Sequence, residues 1–333
     1  VAYWCPFYSR TIARLNLPHS LIIFIPMMPN TALFPNGKSG PLADSSSYQQ
    51  APCAALAIKP AAGANIPDTT WTYKSVNEKD LQMSVFLPGG YEQGTRFPTF
   101  VVFHGGSWTG GEASWHYADC AYWRSRGMVA VSVDYRLKER DKVEVPLACV
   151  KDAKSAIRFL RTNATALKID TDKIVVAGAS AGGQLAAATA MIDAPTTNDD
   201  QDDLAISSRP NAVILCNPYF RCRKDLSPPN FITKELPPMI TFLGDQDRAI
   251  KVDDLLAFHE ALRKEGNASE YYVGKGGKHG FCNGRDPRNR FFYWSVLLED
   301  RFLVKHGILK GELTLKVPNG VATLSEKDYD AYK

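Results

Sequence analysis

From Trp71 onward the chain carries hydrophobic periodicities that the preceding segment lacks. In "WTYKSV" and "LQMSVFLP" apolar residues alternate with polar ones, the pattern of two hairpin strands with one buried face. The stretches "TFVVFHGG" and "MVAVSVDY" are continuous apolar runs and suit strands covered on both faces. Between the second of these and the next strand, "VPLACVKDAKSAIRFLRTNATAL" repeats apolar residues at helical spacing through Leu147, Val150, Ala153, Ile157 and Leu160. The spacing then predicts strand in "KIVVAGAS", helix in "AGGQLAAATAMI", and strands in "NAVILCNPYF" and "PPMITFLGDQD". A helix in "VDDLLAFHEALRKEG", a strand in "SEYYVG" and a closing helix in "RNRFFYWSVLLEDRFLVKHG" complete the series. Strands that alternate with helices imply a mostly parallel sheet with helices on both faces, made mixed by the antiparallel opening hairpin. The predicted class is α/β, with residues 66–333 as a single domain.

Residues 1–65 read as a leader and linker, because "GKSGPLADSSSYQQAPCAALAIKPAAGAN" is rich in Ser, Pro, Ala and Gly. Arg10 and Arg14 stand ahead of an apolar run from Leu21 to Met28, which has the charged and apolar regions of an export signal, interrupted by Pro18, Pro26 and Pro29. This slightly favours a secreted or periplasmic protein over a cytoplasmic one. The run is too short to span a bilayer as a helix, so no stable membrane association is expected.

Composition adds exclusions. With 333 residues, 45% hydrophobic and 22% charged, the chain has the make-up of one large globular core. Its net charge of +4 is spread without a basic block, which argues against nucleic acid and for small-molecule partners. Nothing in the composition sets an oligomeric state. Seven cysteines show neither CxxC pairs nor Cys/His clusters at zinc spacing, so no metal site is expected. Free thiols are the simplest reading, although Cys216 and Cys222 are close enough in sequence to bridge a loop. The sequons at Asn163 and Asn267 read as chance, and the acid run Asp199 to Asp203 as a solvated loop.

The chemistry gathers around "KIVVAGASAGGQLAAATA". Here a strand delivers Gly178-Ala179-Ser180-Ala181-Gly182, and a helix begins at once. A nucleophile on such a turn is held in strained backbone and needs small neighbours, while the helix N-terminus behind it offers free N–H groups to an anion. Alone, the turn is also a plain strand-to-helix corner with an incidental serine. Upstream, "FHGGSW" ends a buried strand, and N–H groups of Gly106, Ser107 and Ala181 are candidate donors to an oxyanion formed at Ser180. Downstream, "FLGDQD" and "GKHGF" end later strands, which brings Asp247 and His279 to the same sheet edge as Ser180 if those strands are parallel. The chain order Ser, Asp, His is that of α/β-hydrolases. Asp245 competes with Asp247 for the acid, and as the nearer to the strand end it suits a turn brace.

From about Thr70 to Gly307 the chain resembles α/β-hydrolase esterases, the group of hormone-sensitive-lipase-like carboxylesterases and of carbohydrate esterases such as feruloyl and acetyl-xylan esterases. The matching residues are His104-Gly105-Gly106 with Trp108, Asp134-Tyr135-Arg136, the turn Gly178 to Gly183, Asp247 after Gly244, and His279-Gly280-Phe281. Ser107 replaces the third glycine usual in hormone-sensitive-lipase relatives, so His-Gly-Gly-x-Trp looks more like the carbohydrate-esterase and kynurenine-formamidase-like branches. The resemblance implies an α/β-hydrolase fold, a Ser180–His279–Asp247 triad and no cofactor.

On that chemistry the expected activity is carboxylic ester hydrolysis through an acyl-enzyme, with activity falling on acidification because the histidine must be neutral to act as base. The expected substrate is a small short-chain or aryl ester, or an esterified polysaccharide fragment. Trp108, Trp115 and Tyr219 are candidates to stack on it, against the alternative of ordinary half-buried packing. The longest loops expected to line the site are 193–210 and 221–236. Two further readings stay open: amide cleavage on the same triad, arylformamidase-like or peptidase-like, and a hydrolase-fold protein that binds without catalysis.

Overall fold

A computed structural model of the chain describes residues 65–333, which fall within one compact unit. The leader, the export-signal pattern, Cys5 and Cys53 lie outside the described residues.

The alternating segments form the expected hairpin. Strands β1 (Thr69–Val76) and β2 (Lys79–Phe86) pair antiparallel, Val76 opposite Lys79. Asn77 and Glu78 turn the chain between them with φ of 50° and 61°, the left-handed pair that matches the twist of a two-residue hairpin. After β3 (Phe97–Phe103) come α1 (Tyr117–Ser125), β4 (Val129–Val133), the one-turn α2 (Lys138–Asp141), α3 (Leu147–Thr162), β5 (Ile169–Ala179) and α4 (Ala181–Met191). The second half runs β6 (Ala212–Cys216), β7 (Met239–Gly244), α5 (Val252–Lys264), β8 (Ser269–Gly274), α6 (Arg290–Lys305) and β9 (Tyr329–Tyr332). All nine strands of the described residues join one sheet in the order β1-β2-β4-β3-β5-β6-β7-β8-β9. Strands β3 to β8 are parallel, and the pairs β1–β2, β2–β4 and β8–β9 are antiparallel.

Side chains of the central strands alternate between two cores. On one face Val101, Val131, Val176 and Leu215 pack beneath α3, α4 and α5; on the other Phe100, Ala130, Val175 and Ile214 pack beneath α1 and α6. This two-sided burial explains why these strands read as unbroken apolar runs.

Several expectations need correction. Helix α1 and strand β9 carried no sequence signal: α1 follows a glycine-rich stretch and buries only Cys120, Tyr122 and Trp123, and β9 is a four-residue edge strand with no buried residue. The strand in "NAVILCNPYF" stops at Cys216, because Asn217 turns to φ 37° and Pro218 follows. The acid run is not merely solvated. Asp199 pairs with buried Lys74 at 2.7 Å and Asp202 with Arg158 at 2.7 Å, and Lys74 also reaches Asp152 on α3 at 2.8 Å. Loop 193–210 does not line the site either: it follows α4, which carries the chain back to the other edge of the sheet, and it ends at the amino end of β6. Cys120, Cys149, Cys216, Cys222 and Cys282 are all free thiols. Asn267 is buried, its amide bonded to Leu236 and Thr233.

Candidate active site

The carboxyl ends of β3, β5, β7 and β8 each release a loop at one edge of the sheet, and parallel pairing brings these loops together. Ser180 is the single residue between β5 and α4, with φ 54° and ψ −117°. That conformation is costly for a residue with a side chain and persists only where its surroundings impose it. Here the Ser180 N–H donates to the carbonyl of Cys216 at 3.0 Å, and its own carbonyl accepts from Tyr219 N–H at 2.9 Å. Gly182 explains the small residues after it: a Cβ there would stand 2.0 Å from the carbonyl oxygen of Phe103, so the first turn of α4 rests directly on the end of β3.

His279 Nε2 lies 2.9 Å from Ser180 Oγ, and its Nδ1 lies 2.7 Å from Oδ2 of Asp247. The Asp247 side chain is fully buried, and its other oxygen accepts N–H bonds from Ala249 at 2.8 Å and Ile250 at 3.0 Å. A carboxylate fixed in this way holds the imidazole proton on Nδ1 and leaves the Nε2 lone pair facing the serine hydroxyl. Asp245 does something else: its Oδ1 accepts from Gly276 N–H at 2.7 Å, tying the loop after β7 to the one after β8.

The loop after β3 provides the anion-facing groups. Gly106 has φ 115°, and a Cβ on it would meet the Gly110 carbonyl oxygen at 2.2 Å; Ser107 and Trp108 follow at φ 54° and 59°. The N–H groups of Gly106 and Ser107 donate to no carbonyl among the described residues, and Ala181 opens α4, where an N–H has no intrahelical acceptor. Behind them His104 is buried, its ring stacked on Tyr135 at 4.3 Å between centroids and its Nδ1 donating to the Gly105 carbonyl at 2.7 Å. Burial lowers its pKa to about 4, so the ring is a neutral brace for the loop.

A pocket of about 250 Å³ opens beside these groups. Gly106, Ser107, Ser180 and His279 line its mouth, and Phe100, Val102, Ala177 and Ile214 its inner walls. Of the three aromatic candidates only Trp115 lines it, with the Arg285 guanidinium 4.9 Å above its ring. Trp108 and Tyr219 are corrections. Trp108 is buried in the core under α3 and α4, and Tyr219 packs edge-on against it at 6.0 Å, because the positive φ at Ser107 and Trp108 turns the indole inward. Lining residues that went unread include His116, Asp119, Asn217, Asn283, Arg285 and Glu299. Asn217 had a weak signal as the residue after a parallel strand; Glu299 had none, being one polar residue within a helical pattern. Among the described residues no group of three His, Cys, Asp or Glu side chains converges as a metal site requires.

The chain is similar to several known proteins. Residues 83–216 match the family model BD-FAE. Esterase LipC of Mycobacterium tuberculosis is 26% identical over 55% of this chain and 53% of its own length. Endo-1,4-beta-xylanase B of Butyrivibrio fibrisolvens is 26% identical over 49% of this chain and 29% of its own. The chain therefore spans about half or less of these curated relatives. Among solved structures, Thermogutta terrifontis esterase 2 phosphorylated by paraoxon is 37% identical with a TM-score of 0.70, covering 73% of this chain and 96% of that one. The same esterase has also been solved with propionate and with butyrate bound. With that likeness running almost the full length of the esterase structure, the chain belongs to the esterases of the α/β-hydrolase superfamily.

Proposed function

We propose that the protein is a serine carboxylic ester hydrolase in which Ser180 is the nucleophile, His279 the general base and Asp247 its orienting acid. The observation that carries this reading is the continuous relay from buried Asp247 through His279 to Ser180 Oγ, at 2.7 and 2.9 Å. As the Ser180 oxygen attacks an ester carbonyl, its proton passes to Nε2, and the adjacent Asp247 carboxylate stabilises the imidazolium. The carbonyl oxygen becomes an oxyanion, for which the N–H groups of Gly106, Ser107 and Ala181 are the proposed donors. His279 then gives its proton to the departing alcohol, and water, activated by the same imidazole, releases the acid from the serine.

The modest pocket fits a short-chain or aryl ester of a soluble substrate. The BD-FAE match and the xylanase relative support a carbohydrate esterase, one that removes acetyl or feruloyl groups from polysaccharide fragments. A panel assay tests both levels. Hydrolysis of 4-nitrophenyl acetate and butyrate is expected in any case, and hydrolysis of acetylated xylan or methyl ferulate supports the narrower role. Folded protein that hydrolyses none of these esters would contradict the proposal.

A further inference from the structure

The pocket beside Ser180 runs inward beneath the sheet, toward the side covered by α1 and α6. Its inner walls are hydrocarbon: Phe100 and Val102 from β3, Ala177 from β5 and Ile214 from β6. Several polar side chains interrupt that lining, among them the ion pair of His116 with Asp119 and, less obviously partnered, Asn217 and Glu299. Asn217 is fully buried, and among the described residues neither polar atom of its side-chain amide has a hydrogen-bond partner. Glu299, on α6, is only 3% exposed, lines the pocket, and has no ion-pair partner among the described residues. Its neighbour Asp300 is differently placed, bonded to Arg126 and to the Tyr122 hydroxyl. The catalytic scheme uses neither Glu299 nor Asn217.

Buried polar groups are ordinarily hydrogen-bonded, so an amide without any partner, in the same pocket as a buried carboxyl without an ion-pair partner, marks a place where a ligand supplies hydrogen bonds. Burial raises the pKa of Glu299 well above the usual carboxylate range; Asp119, which also lines the pocket, and Asp300 push the same way, and a hydrogen bond with Ser295 opposes them. The group is thus held toward its neutral form, which donates one hydrogen bond and accepts others. A hydroxyl, which does both, is its natural complement, and the Asp119 carboxylate in the same lining is already engaged by His116 Nδ1 at 3.1 Å.

We propose that this pocket takes the buried arm of the ester and that Glu299 selects arms carrying a hydroxyl at their far end. This rests on the esterase reading above. A bare hydrocarbon arm displaces water from the pocket and offers a partner to neither Glu299 nor Asn217. Sites built to hydrogen-bond a substrate hydroxyl discriminate strongly against analogues that lack it.

The test is a set of kcat/KM ratios. Methyl ω-hydroxyalkanoates of four to eight carbons are compared with the matching methyl alkanoates, and ω-hydroxyalkyl acetates with the matching alkyl acetates. The first series places the hydroxyl on the acyl arm and the second on the alcohol arm. Wild-type enzyme is expected to favour the hydroxylated ester at least tenfold in one series. Glu299→Leu should bring that ratio to one or below, and Glu299→Gln, which keeps a donor and an acceptor, should retain most of it. Thermal melting checks that each variant is folded. Active wild-type enzyme with a ratio of one in both series overturns the inference without recourse to any variant, and leaves a Glu299 that holds only buried water. An unchanged preference in folded Glu299→Leu overturns it equally. Absence of hydrolysis of every ester instead removes the esterase reading, and this inference with it.

Discussion

Asp245 and Asp247 stand two residues apart on one loop, and their hydrogen bonds separate their roles. Asp247 spends one oxygen on His279 and the other on two backbone N–H groups, whereas Asp245 bonds Gly276. Asp247→Asn is expected to lower turnover by about four orders of magnitude, as in a serine protease whose histidine is left in the wrong tautomer. Asp245→Asn should cost roughly 1 kcal/mol of stability and little turnover. Steady-state kinetics and denaturant melts of the two variants check this, and the reverse pattern would put the acid at Asp245. The sequence favoured Asp247 by its distance past Gly244, and Ser180 and His279 were legible as candidates because the nucleophile turn, the loop after β3 and the chain order Ser, Asp, His point the same way, although each alone has a plain structural explanation. Trp108 was misread because its side-chain direction depends on a left-handed backbone that no hydrophobic pattern encodes. Glu299 stayed hidden for a related reason: a polar residue on a helix reads as solvent-facing until the packing is known.

At the scale of elements, the loop after β3 and the turn into α4 form one unit, since Gly182 admits nothing between itself and the end of β3. The loop's own shape rests on Gly106, which has no room for a Cβ. Gly106→Ala is therefore expected to displace the proposed oxyanion donors and lower turnover on the order of a hundredfold. Ser107→Gly keeps the N–H and suits φ 54°, so its turnover should stay within a few-fold of wild type. Equal turnover for the two variants would move the oxyanion site elsewhere. A proline at Ser107 is a poor probe of the donor, because its ring cannot adopt a positive φ. The long parallel strands and α3, α4, α5 and α6 were legible because each buries a broad apolar face. Helix α1 and β9 were not, since the first buries three side chains and the second is a short polar edge.

For the whole molecule, two buried groups with displaced pKa values shape stability against pH. His104 is lowered from 6.5 to about 4, so between those values the unfolded chain takes up a proton that the folded chain does not. Stability is therefore lost as pH falls below about 6.5, by roughly 3 kcal/mol at pH 4. His104→Phe, which keeps a ring beside Tyr135, should flatten that limb in urea melts taken from pH 7.5 to 4.5. Glu299 acts on the other side. Its folded pKa is raised, so its contribution is fully present below the unfolded carboxylate value and declines as pH rises above it. The central claim, that Ser180 at the β5–α4 turn is the nucleophile, is tested most directly by turnover of 4-nitrophenyl butyrate in Ser180→Ala. Alanine fits the same small-residue turn, so the variant should fold as wild type does and lose on the order of a million-fold in rate, as triad enzymes do. A folded Ser180→Ala protein that keeps more than about one percent of the wild-type rate would contradict the account, since triad enzymes without their serine keep far less.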